Sequence, residues 1–163
     1  MTETPQTPVR VYVHFAMAGA FPLRIADLLF TDDELVIPEY HYLTPIFGIA
    51  RGKTHDVAET AVKRYRTAGT AGLVEFAERT HNVGYDDVDR VRLYDGRAIG
   101  RPKIAVDVRT GPPFAYRIHA HIDLSSLAGA LTELGARRGF TVNSPSKIGF
   151  SPVQSLRRFA ADR

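Results

Sequence analysis

The stretch from Val83 to Phe140 constrains the fold most, because three alternating apolar segments lead into one helix with a marked start and stop. Asp123 is a residue type that accepts hydrogen bonds from the unpaired N–H groups of a first helical turn. Leu124, Leu127, Ala128, Leu131, Leu134 and Gly135 then recur at three- and four-residue spacing, which puts an apolar stripe on a helix over about 123–138. Arg137 and Arg138 place cations at the negative end of its dipole. Gly139 supplies a left-handed stop, after which Phe140 can fold back onto the last turn.

The segments before that helix alternate with period two. Ile104, Val106 and Val108 fall on one face of a strand, and a second strand is expected over Phe114 to Ile122. In it Phe114, Tyr116, Ile118, Ala120 and Ile122 oppose Ala115, Arg117, His119 and His121. Thr110-Gly111-Pro112-Pro113 between the two is turn chemistry, so the pair reads as a hairpin. Upstream, Val91 and Leu93 alternate with Arg90, Arg92 and Tyr94.

Earlier in the chain, Val9, Val11, Val13 and Phe15 alternate with Arg10, Tyr12 and His14. Asp27-Leu28-Leu29-Phe30 and Leu35-Val36-Ile37 flank Thr31-Asp32-Asp33-Glu34, a polar break suited to a hairpin turn. Between the two strand groups lies a helical stretch over about 54–80, with Gly69 and Gly72 in its middle and Thr70 as the cap of a second half. The whole reads as α+β: a curved antiparallel sheet or small barrel, a helical insertion and a C-terminal capping helix.

With 163 residues, 44% of them hydrophobic, the chain can bury one domain-sized core. The expected division is a loose arm over 1–8, a domain over 9–142 with the insertion inside it, and a linker with a short basic tail helix over 143–163. No apolar run approaches the roughly 20 residues of a membrane-spanning helix. Without cysteine there are no disulfides and no thiolate metal or redox chemistry. A soluble cytoplasmic protein is the expectation. Residues 1–49 carry a net charge of −4 and residues 50–163 a net charge of +7. The cations are interleaved with acids and never run together, which disfavours nucleic acid as the partner.

Two phrases add to the element order: Leu29-Phe30-Thr31-Asp32-Asp33-Glu34-Leu35-Val36-Ile37 and Val83-Gly84-Tyr85-Asp86-Asp87-Val88-Asp89-Arg90-Val91. Followed by one closing helix, they make the chain resemble the pleckstrin-homology-like (GRAM-like) superfamily, particularly its small prokaryotic members. The resemblance implies a scaffold used for binding rather than catalysis. The Lys/Arg-rich loop that phosphoinositide-binding members place between their first two strands has no counterpart here, so that ligand is not carried over.

Three constellations bear on chemistry. Gly48-Ile49-Ala50-Arg51-Gly52-Lys53-Thr54 is one residue short of the phosphate-binding pattern G-x-x-x-x-G-K-[ST]; Gly48, Gly52, Lys53 and Thr54 would be its phosphate contacts. His119 and His121 share a spacing open to a metal, but two imidazoles are not a site, and neither a metal nor another cofactor is expected. Arg90, Arg92, Arg109, Arg117, His119 and His121 would share the polar face of the second strand group, where arginine forks can grip an anion or a protein surface. No nucleophile and base stand together, so the chain is expected not to be an enzyme. The reading is a non-catalytic binding module, with a protein partner or a second copy of the chain ahead of an anionic ligand.

Overall fold

The computed structural model describes residues 7–18, 23–43, 50–96 and 100–144. Strands β1 (Val9–Ala18), β2 (Leu23–Thr31) and β3 (Glu34–Leu43) come first, followed by helix α1 (Ala50–Phe76). Then come β4 (Arg79–Gly84), a single 3-10 turn (Tyr85–Asp87), β5 (Val88–Tyr94), β6 (Lys103–Val108) and β7 (Phe114–Ile118). Helix α2 (Leu124–Arg138) and β8 (Thr141–Asn143) close the described chain. All eight strands form one sheet in the order β4-β3-β2-β1-β7-β6-β5-β8. No described helix is long and apolar enough to cross a membrane.

That order has a geometric consequence. β4 and β5 are joined by only three residues, yet β4 is the first strand of the sheet and β5 the last but one. The sheet must therefore curl until its ends approach. It stays open: among the described residues β4 pairs with β3 alone.

Each face of the curl holds its own core. The inner face gathers Val13, Leu28, Phe30, Leu35, Val91, Ile104, Val106 and Ile118 against Leu127, Leu131 and Leu134 of α2. The outer face of β1–β3 gathers Phe15, Met17, Ile25, Leu29, Val36 and Tyr40 against Ala58, Ala61 and Leu73 of α1.

The closing helix is built as its sequence predicts. The Asp123 carboxylate accepts from the Ser125 N–H at 3.0 Å, and Gly139 ends the helix at φ 88°. Phe140 is buried and stacks on Tyr85, whose hydroxyl donates to the Thr31 carbonyl at 2.6 Å. The Thr31–Glu34 turn forms as expected, with the Thr31 hydroxyl donating to the Glu34 carbonyl at 2.8 Å. The arm expected over 1–8 is tied down where it is described: the Thr7 hydroxyl donates to Asp33 at 3.0 Å.

Several expectations need correction. The helical insertion covers Ala50–Phe76 rather than 54–80. Its break is at Gly69 (φ 60°, ψ −146°), and a second limb starts at Thr70. After Phe76 the Glu78 N–H donates to the Glu39 carbonyl, and the chain joins the sheet as β4. The strand expected to reach Ile122 stops at Ile118, because the chain must turn there to enter α2. The sheet is not wholly antiparallel: β8 runs parallel to β5, which makes Asn143 a strand residue rather than linker. The tail helix expected after Ser151 lies outside the described residues.

Candidate functional site

Two carboxylates lie buried in the first half of the sheet, on neighbouring strands and opposite faces. Asp27, on β2, sits opposite a bulge in β1, where Phe15 adopts φ 53°. Positive φ is strained for a large aromatic residue and persists only where the surroundings fix it. Here the Phe15 N–H donates to Asp27 at 2.8 Å, and the Phe15 carbonyl accepts from the His119 N–H at 2.8 Å. Tyr12 and Tyr40 donate their hydroxyls to Asp27 at 2.9 and 3.2 Å, and His14 Nδ1 lies 3.0 Å away. Tyr65 of α1 packs on Tyr12 at 4.6 Å between ring centres. Burial and the Asp27 charge push both tyrosines above their ordinary range.

Glu39, on β3, points to the inner face. Its Oε1 accepts from the Tyr116 hydroxyl at 2.8 Å. Its Oε2 accepts from Arg79 at 3.0 and 2.6 Å and from Arg24 at 3.3 Å. Burial alone would raise the Glu39 carboxyl; the bonds from Tyr116 and Arg79 outweigh it and hold the group below the ordinary carboxylate range. His81 Nε2 stands 3.5 Å from Oε1. That nitrogen is buried and has no hydrogen-bond partner among the described residues.

Glu39 forms the floor of a groove of about 640 Å³ beside β4, whose outer edge has no strand partner among the described residues. Arg79, His81, Asn82 and Val83 make one wall. Pro112, Pro113, Phe114 and Tyr116, from the β6–β7 hairpin, make the other. At the far end the hairpin is fastened to the 3-10 turn: the Arg109 N–H donates to the Asp87 carbonyl at 2.8 Å, and its Nε to the Asp86 carbonyl at 2.7 Å.

The residues nominated from sequence are partly brought together. Arg90, Arg92 and Arg117 share the outer face of β5–β7, which also carries Tyr94, Lys103 and Asp107. This face is not the wet surface expected of it, since Lys103 is 3% exposed and Ala105 fully buried. Arg90 and Arg92 both donate to Asp107, at 3.2 and 2.6 Å. Arg109 stands apart in the hairpin clamp. His119 and His121 lie beyond β7; His119 packs on Phe15 at 5.3 Å, and burial aided by Arg101 and Arg117 pushes its imidazole down to about 4. No group of three metal-ligating side chains occurs among the described residues.

Gly48 lies outside the described residues, and Gly52, Lys53 and Thr54 fall inside α1. The strand before α1 is antiparallel to its neighbours, whereas phosphate-binding loops of that pattern sit in parallel βαβ units. Asp27 and Glu39 escaped the sequence analysis as site residues. Their signal was a lone acid inside an apolar run, Ile25-Ala26-Asp27-Leu28-Leu29 and Val36-Ile37-Pro38-Glu39-Tyr40, where a buried charge demands partners.

No protein-family model matches this chain, and no curated protein is similar to it in sequence. The curled α+β sheet does have a counterpart among solved structures. The chain is similar to the hSac2 domain from human phosphoinositide phosphatase Sac2, with a TM-score of 0.51 and 6% sequence identity, covering 91% of this chain and 84% of that one. The likeness is one of fold alone.

Proposed function

We propose that this chain is a non-catalytic binding module on a pleckstrin-homology-like scaffold, and that it receives an extended segment of a protein partner in the groove along β4. One observation carries the reading: the two ends of the sheet are treated differently. At one end the chain adds its own β8 to β5. At the other, β4 keeps an edge without a strand partner among the described residues, beside a groove of a size typical of ligand sites. Unpaired edges are normally blunted or covered, and adding a strand to such an edge is a recurring mode of peptide capture. Pro112 and Pro113 on the facing wall have no N–H of their own to offer β4. The polar floor is an ion-pair cluster rather than a nucleophile with its base, which favours binding over catalysis.

The test is amide hydrogen exchange on the full chain, alone and with peptides selected against it from a random display library. Slowed exchange across Arg79–Gly84 is expected. Protection confined to other elements overturns the reading.

A further inference from the structure

We propose that the groove selects acidic segments: a Glu or Asp side chain of the added strand seats against Arg79 and His81, at the Glu39 end. This rests on the groove reading above and adds the chemistry of what the groove accepts. Among the described residues, Arg24, Arg79 and His81 surround a single carboxylate. Both oxygens of that carboxylate already accept hydrogen bonds, from Tyr116 on one side and from Arg79 and Arg24 on the other. The Glu39 oxygens are thus largely engaged, and the groups left over at this end of the groove are donors; Asp87 lines the far end.

Two donors remain. His81 Nε2 is buried with no hydrogen bond among the described residues, its contact with Glu39 Oε1 being 3.5 Å long. As a donor, Nε2 would lack an acceptor of good geometry at that distance. A buried, unpaired donor is costly, and a ligand acceptor relieves that cost. Arg79 spends Nε and Nη2 on Glu39, while its side chain stays half exposed. Its Nη1 carries no hydrogen bond among the described residues and is a second donor for the same ligand oxygen pair.

The wall sets a spacing as well. Arg79, His81 and Val83 alternate along β4, and an added strand places every second side chain beside that row. An acid opposite Arg79 or His81 therefore brings an apolar residue, four or two positions away, beside Val83 and Phe114, both in the groove lining. The expected ligand is an extended segment with an acid and an apolar residue separated by one or three residues.

The experiment uses three pools of acetylated, amidated octapeptides rich in Val, Ile and Thr. One central position is fixed as Glu, Gln or Lys, so the only carboxylate is that side chain. Fluorescence anisotropy against the full chain should rank Glu first, about tenfold tighter than Gln, as a charge-assisted hydrogen bond predicts. The preference should shrink toward parity in R79Q and in H81L. H81L leaves the Arg79–Glu39 pair in place, so it reports on the subsite even if R79Q unfolds. Equal affinity for Glu and Gln, with Arg79–Gly84 still protected from exchange, overturns this inference and leaves the groove standing. Binding without protection of Arg79–Gly84, or no binding of any pool up to about 1 mM, overturns both.

Discussion

Asp27 and Glu39 are two answers to one problem. Glu39 pairs across the sheet with Ala26, the residue next to Asp27, yet the two carboxylates leave opposite faces. Asp27 is met by two tyrosine hydroxyls, a backbone N–H and an imidazole, and Tyr65 of α1 packs over Tyr12 beside it. Glu39 is met by two guanidiniums and a tyrosine, and His81 in the groove wall beside it has no hydrogen bond at Nε2 among the described residues. What separates the two carboxylates is the bonding capacity left over around them.

The largest effect is expected from Asp27→Ala. It strands three buried donors at once and should cost about 3–5 kcal/mol, read as a fall of roughly 10 °C in Tm. A loss under about 1 kcal/mol would mean that Asp27 does not organise the α1 face. Next comes Gly72→Ala in the second limb of α1, where a Cβ would stand 2.6 Å from the Arg64 carbonyl. Forcing the limbs apart should cost about 1–3 kcal/mol in denaturant unfolding, and an unchanged midpoint would show that the limbs yield freely.

Glu39→Gln should cost about 1–2 kcal/mol, less than the Asp27 change, because a neutral acceptor of the same shape remains. It should also do what no Asp27 variant does: remove the negative charge paired with Arg79 and tighten binding of the Glu-bearing peptides. Weaker binding would break the contrast.

The smallest effect is pH dependence. His119 has its folded pKa lowered from 6.5 to about 4, so between those values the unfolded chain binds the extra proton. Stability is then fully present above about 6.5 and declines as pH falls toward 4. Glu39, also lowered, adds its own loss only as pH falls below its ordinary 4.5. Unfolding free energies of His119→Gln measured from pH 7 to 4 should fall less steeply than those of the parent, and equal slopes would remove His119 from the account.

The sequence was most legible where one period ran unbroken. The stripe of α2, its Asp123 start and its Gly139 stop all appear as written, as does the Thr31–Glu34 turn. β4 was illegible for a physical reason: an edge strand needs no apolar face, and Arg79-Thr80-His81-Asn82 alternates in nothing a pattern can detect. β8 is three residues long and exists through its neighbours β5 and α2 rather than through its own propensity. The bulge at Phe15 hides in an ordinary alternating run, since its cause is the carboxylate on the next strand. The strand period places Arg90, Arg92 and Arg117 on one face together with Asp107, but it does not say that Asp107 pairs with the first two. The groove was invisible because its walls come from segments roughly 30 residues apart.

The three-residue link between β4 and β5 also limits stoichiometry. From Gly84 to Val88 the chain can span at most about 14 Å. A strand laid on β4 takes about 5 Å, and about as much again separates it from the facing wall. On the proposed reading one guest strand would fill the gap near the tether, so the β4 edge would be occupied once rather than template a growing sheet.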